Sequence, residues 1–266
     1  MLTPVDIMRK TGQLGFSTAF ALSIFFRNVT YLSKLVLSTF SRLHLAVKNF
    51  NLSIEQMYII GLESIPLVAI TSIFVGGETV IQAMYQFSGI VPLRYLGMVV
   101  SKSMVTELCP VITSLVVSNR ISTAIAAEIG SMKTSEQLDA MVTLNLDPIR
   151  YLIVPKTLGA IIMLPVLSIF SLIIAYIGSI ITALLFVDIT MHVYLQGLRL
   201  FFNPFDVYVG ILKTGVFGAI IALTGSHFGF QARKGAQGVG EATTKAVMVA
   251  AMLILVFDFI IAFLAL

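Results

Sequence analysis

The chain has 266 residues, of which 58% are hydrophobic and 11% charged; soluble domains carry about 25% charged residues, so a polytopic membrane protein is the class that fits. The net charge of +4 is read as a topology signal rather than as nucleic-acid binding. A single cysteine, Cys109, excludes a disulfide framework and a cysteine-based zinc site.

Arg9-Lys10 precede a short apolar stretch, Leu14 to Phe26, which Arg27 closes. No small-residue cleavage site follows, so a cleaved signal peptide is not expected. Next, Tyr31, Leu32, Leu35, Val36, Thr39, Phe40 and Leu43 recur at helical spacing, with Lys34, Ser38, Ser41 and Arg42 opposite. Residues 7–54 hold six Lys/Arg and no acid. Residues 1–50 are therefore expected to form a basic amphipathic segment on an anionic membrane surface. A helix packed on the rest of the protein is the alternative.

Residues 51–266 read as one transmembrane domain of five segments. The first, about Met57 to Ile90, is interrupted by Glu63, Pro66, Gly76-Gly77 and Glu78. A kinked or broken helix is expected, with its freed backbone groups facing protein. The second, about Tyr95 to Asn119, contains Lys102, Glu107 and Pro110. The third, Thr157 to Val187, has no charge and contains Pro165. The fourth, about Val207 to Phe230, holds Lys213 and His227, and the fifth, Ala246 to Leu266, holds Asp258.

Of seventeen Lys/Arg, Lys102 and Lys213 fall within segments. With the N-terminus in the cytoplasm, Arg94 and Arg199 lie in outer loops and the remaining thirteen lie inside. This bias orients the chain and sends the C-terminus outside.

Charged groups in a span are costly and mark function or helix pairing. Counting at 1.5 Å per residue from the outer ends places Lys102 about 10 Å deep, Lys213 about 9 Å, Asp258 about 12 Å and Glu107 about 18 Å. Lys213 and Asp258 are expected to pair, and Lys102 and Glu107 could join them, although Glu107 has no obvious partner at its own depth. The cluster is either a structural clamp or a functional polar site within the membrane.

Between the second and third segments lies a polar stretch, residues 128–150. Thr134 and Gln137 fit a capping box. Glu136 adds negative charge to the first turn. Leu138, Met141 and Val142 form an apolar stripe, Asn145 suits a stop, and Asp147-Pro148 suits a restart. The expectation is a short cytoplasmic helix that is either an ordinary loop element or a docking site for a soluble partner.

Ordered motifs make the second option specific. The chain contains Thr106-Glu107-Leu108-Cys109-Pro110, Ser118-Asn119-Arg120, Ala127-Glu128-Ile129-Gly130-Ser131-Met132, Ser135-Glu136-Gln137 and Asp147-Pro148-Ile149-Arg150. It ends with Gly238-Val239-Gly240, Ala242-Thr243-Thr244 and Asp258. Over roughly residues 50–265 it resembles the permease subunit of Mla-type (MlaE family) lipid ABC transporters. Thr106 stands where the family usually has Arg, and Cys109 and Asn119 stand where it has glycines.

The resemblance implies an all-α inner-membrane protein of a Gram-negative-type bacterium, with the C-terminus periplasmic. It implies a homodimer that moves phospholipid to or from an MCE-domain carrier and maintains outer-membrane lipid asymmetry. It also implies a cytoplasmic ATPase partner holding ATP and Mg, with no cofactor or metal in this chain. Residues 128–150 then contain the coupling helix, with Glu128, Glu136, Gln137, Leu138, Asp139 and Met141 as coupling residues. Lys102, Glu107, Lys213 and Asp258 form the candidate substrate site. Alternatives are an ABC permease for another hydrophobic substrate such as a sterol, a proton-coupled secondary transporter using Glu107 and Asp258, or a membrane scaffold. No Gly-x-x-x-x-Gly-Lys-Ser/Thr loop, nucleophile elbow or His-Glu-x-x-His motif is present, so the chain is not expected to be an enzyme.

Overall fold

The structure, a computed structural model, describes residues 30–43, 50–87, 92–200 and 202–265. The expectations for Leu14 to Phe26, for Lys48 and for the end of the first segment at residues 88–90 lie outside the described residues. The protein is an all-α, multi-pass membrane protein, and there is no strand among the described residues.

Helix α1 covers residues 30–42. The first span is α2 (Phe50–Gly61) and α3 (Ile65–Phe87), separated by a 3₁₀ turn at Leu62–Ser64. The second is α4 (Leu96–Ser103) and α5 (Cys109–Thr134), joined through a π turn at Met104–Leu108. The short α6 (Gln137–Thr143) follows. The third span is a π turn at Ile149–Ile153 and then α7 (Val154–Phe186). After α8 (Met191–Arg199), α9 (Pro204–Phe230) and α10 (Ala236–Ala265) complete the bundle. Five segments are long and apolar enough to cross a membrane: Phe50–Phe87, Leu93–Thr134, Ile149–Phe186, Pro204–Phe230 and Ala236–Ala265.

Each irregularity has a local cause. Pro110 has no N–H for the carbonyl of Thr106, and in a regular helix its ring would strike that carbonyl. The π turn immediately before it absorbs the conflict, with the Cys109 N–H reaching back five residues to Met104 O. The same device precedes Pro155, where the Val154 N–H reaches Ile149 O.

The break in the first span falls at Glu63, not at Gly76-Gly77. Those glycines sit inside α3 and serve close packing instead. A Cβ on Gly76 would stand 2.0 Å from the carbonyl oxygen of Ala175, and one on Gly178 would stand 2.3 Å from that of Ile73. Lipid is as apolar as leucine, so little drives helices together in a bilayer except close van der Waals contact, which small residues permit.

Helix α7 runs against α2, α3 and α9, while α5, α9 and α10 pack on one another. The shared core is a stripe at i, i+4 on α5 (Val117, Ile121, Ile125, Ile129) set against Phe217 and Ile221 of α9. A second core, nearer α8, gathers Val80, Leu96, Val100, Met104, Cys109 and Tyr194.

The capping-box expectation is corrected. Thr134 is the last residue of α5, and α6 starts at Gln137. Thr134 and Ser135 hydroxyls donate back to Ser131 O, as such side chains do near a helix end. Glu136 turns the chain in a left-handed conformation at φ 60°. The stop and restart lie where the sequence places them. Asn145, at φ 58°, ends α6 in a Schellman motif, with Asn145 N–H on Val142 O and Leu146 N–H on Met141 O. Asp147 Oδ1 then accepts from Ile149 N–H and caps the next helix.

Candidate functional site

Lys213 lies on α9 with its side chain 1% exposed. Its Nζ donates to Glu107 Oε1 at 2.8 Å and to Thr106 O at 3.2 Å. It also stands 2.8 Å from Asp258 Oδ1 as an ion pair, but without hydrogen-bond alignment: that oxygen has no hydrogen-bond partner among the described residues. The carbonyl of Thr106 is open to Lys213 because Pro110 cannot use it. One ammonium thus clips together α9, α10 and the π turn that precedes α5. Two carboxylates face one cation, so the fully ionised cluster keeps one negative charge. Glu107 presents it, being 44% exposed against 17% for Asp258.

The structure brings Lys213, Asp258 and Glu107 together but not Lys102. The expectation that Glu107 lacks a partner is corrected, because the flexible four-carbon stem of Lys213 bridges the difference in level. Lys102 pairs instead with Asp206 in the first turn of α9. Asp206 precedes Lys213 by seven residues, about 10 Å along the helix, and captures Lys102 nearer the α8 end.

Two further clamps were not expected from the sequence. Arg120 closes the 3₁₀ break, donating to Ile59 O at 3.0 Å and Ser64 Oγ at 2.8 Å while pairing with Glu63. A backbone carbonyl beside the break is thereby met by a side chain of α5. The buried Lys156 joins α7 to Glu128 of α5 at 2.7 Å and to Gln56 of α2 at 3.2 Å. Glu128 is thus engaged within the chain. The signal for both clamps is a basic residue near a span end, without any mark of its partner.

At the other end of the bundle, α6 is fastened from beneath. Leu138 is buried in the core and Met141 packs against it. Both residues thus attach α6 to the spans. Glu136, Gln137 and Asp139 are exposed, with Glu136 3.5 Å from Lys234. Val142 and Leu144 are apolar and 62% and 71% exposed. A cleft of about 400 Å³ separates α6 from the α9–α10 turn and is lined by Glu136, Asp139, Val142 and Lys234. Arg42 of α1 reaches Asp147 at 2.9 Å.

The chain is thus a five-span membrane bundle with ion pairs inside it and a short helix at one end. The family model described as Permease MlaE matches residues 53–264, and the chain belongs to that family. It is 39% identical over 212 residues to a probable ABC transporter permease protein of Rickettsia bellii (strain RML369-C), covering 80% of this chain and 82% of the relative. It is 37% identical over 212 residues to a probable ABC transporter permease protein of Synechocystis sp. (strain ATCC 27184 / PCC 6803 / Kazusa), covering 80% and 81%. A third relative, protein trigalactosyldiacylglycerol 1, chloroplastic, of Arabidopsis thaliana, is 34% identical over 209 residues, covering 79% of this chain and 60% of that protein. The chain is an ABC-transporter permease, a class that implies an ATPase partner.

Proposed function

We propose that this permease moves phospholipid between the inner membrane of a Gram-negative-type bacterium and a periplasmic MCE-type carrier, and so maintains outer-membrane lipid asymmetry. It works as a homodimer with a cytoplasmic ATPase that binds ATP and Mg. Helix α6 is the coupling helix, the N-terminus is cytoplasmic and the C-terminus is periplasmic. The observation that carries the lipid assignment is Glu107, a half-exposed carboxylate within the second span, fixed by a buried lysine. A polar anchor beside apolar walls suits a headgroup with acyl chains. The name of the Arabidopsis relative contains a diacylglycerol lipid, which also supports a lipid cargo.

The test is transfer of labelled phospholipid from proteoliposomes to an MCE-type acceptor by the complete complex. Transfer should require hydrolysable ATP and fall in Glu107→Gln. Flux that follows a proton gradient without ATP would replace this reading with proton-coupled transport. Sterol rather than phospholipid in the purified complex would change the cargo.

A further inference from the structure

At the α6 end of the bundle, α1, the end of α5, the turn after α9 and the start of α10 enclose a cleft of about 830 Å³. Lys133, Arg233 and Lys245 line it, against one lining carboxylate, Glu241. At the same end of the bundle, Arg42 pairs with Asp147 and Lys234 with Glu136. Arg233 and Lys245 have no carboxylate partner among the described residues, and Lys133 donates to the backbone carbonyl of Phe230. Three cations against one carboxylate leave the lining net positive, an anion-attracting site.

An apolar groove of about 1040 Å³ borders the same helices. Val36 and Phe40 of α1, Leu212 and Ile220 of α9, and Leu253 and Phe257 of α10 line it. On α9 the groove runs from Leu212 to Thr224, and the basic cleft begins at His227. Twelve residues of rise is about 18 Å, so the groove runs from the level of the ion cluster towards the basic cleft. Leu212 and Phe257 each precede a member of the ion cluster by one residue, about 100° round the helix. The groove therefore lies on a different face from the cluster.

We infer that α1, α9 and α10 hold one anionic phospholipid of the cytoplasmic leaflet, with its phosphate among Lys133, Arg233 and Lys245 and its chains along the apolar groove. It is a resident lipid, separate from the transported one. The leaflet assignment rests on the orientation proposed above. Basic pockets between spans on the cytoplasmic side suit such headgroups. A groove lined by the same three helices, α1, α9 and α10, favours a lipid over a free phosphate.

The test uses the delipidated, detergent-purified complex. Added phosphatidylglycerol should raise its melting temperature, while phosphatidylcholine and millimolar inorganic phosphate should not. The double variant Arg233→Gln/Lys245→Gln should retain phosphatidylglycerol roughly 30-fold more weakly, from about 1 kcal/mol per basic residue, read by native mass spectrometry. Both side chains are exposed, so the variant keeps its fold. Glu107→Gln should leave the phosphatidylglycerol effect intact. Equal stabilisation by phosphatidylcholine, an unchanged double variant, or a shift reproduced by inorganic phosphate overturns the inference. Loss of the effect in Glu107→Gln also overturns it, because the bound lipid is then the transported one. Labelling of a Glu241→Cys variant, in a Cys109→Ser background, from the periplasmic side would instead sink the proposed orientation, whatever the lipid does.

Discussion

Lys213 Nζ donates to the carbonyl oxygen of Thr106, the acceptor that Pro110 leaves without a helical donor. The proline and the lysine are thus two halves of one arrangement. Removing Lys213 strands a backbone carbonyl and leaves two carboxylates facing each other. Lys213→Met should therefore destabilise the complex by on the order of 3–5 kcal/mol. Asp258→Asn should cost less, because Glu107 and Thr106 still hold the ammonium. The double variant should lose less than the sum of the singles. Denaturation of the purified complex measures this, and strictly additive losses would reject the cluster.

Glu107 is the exposed member of the cluster, so its loss should separate transport from stability. Glu107→Gln keeps the shape and a hydrogen bond to Lys213. Assembly and ATPase association should be preserved, while co-purified phospholipid and its transfer fall. Unchanged lipid content and transfer in a stable variant would remove Glu107 from the lipid path.

Helix α6 should divide into a buried and an exposed function. Reversing Glu136 and Asp139 to lysine should weaken capture of the ATPase while leaving membrane insertion intact. Leu138→Ala should instead loosen α6 from the spans, at about 2–5 kcal/mol, and uncouple hydrolysis from lipid transfer even where the ATPase still binds. Full ATPase recovery by the charge-reversed variant would disprove docking on α6.

Arg120 forms three contacts across the break in the first span. Arg120→Lys keeps the charge but not the planar fork, so it should not restore the Ile59 and Ser64 contacts. Both Arg120→Lys and Arg120→Ala should lower stability by about 1–3 kcal/mol. Thermal stability close to the unmodified protein for Arg120→Lys would show that charge alone closes the break.

Topology is open to direct measurement. A cysteine at Val142 should react with an impermeant reagent only from the cytoplasmic side, and a reporter at the C-terminus should read as periplasmic. A cytoplasmic C-terminus would overturn the orientation.

Signals that act within a few residues were legible in the sequence. Asn145 and Asp147-Pro148 set a stop and a start through their own backbone preferences, and the structure has both. Thr134 misled because a hydroxyl near a helix end caps forward or bonds backward, and which it does depends on how far α5 continues. Depth arithmetic along single helices gave the levels of Lys213, Asp258 and Glu107. It gave neither azimuth nor side-chain reach, so it could not separate Glu107, which joins the pair, from Lys102, which does not. Gly76-Gly77 looked like a breaker because the partner that needs a bare backbone, Ala175, lies about a hundred residues away. Arg120 and Lys156 carried no mark of their partners for the same reason.

The contacts of Gly76 with Ala175 and of Gly178 with Ile73 leave no room for a lipid tail or a side chain to wedge between α3 and α7. Those two helices behave as one beam, stiff against prying and shear. Whatever opens and closes in this protein must hinge along other seams. A substitution as small as Gly178→Ala would act there like grit in a joint, splaying the beam and shifting every seam that bears on it.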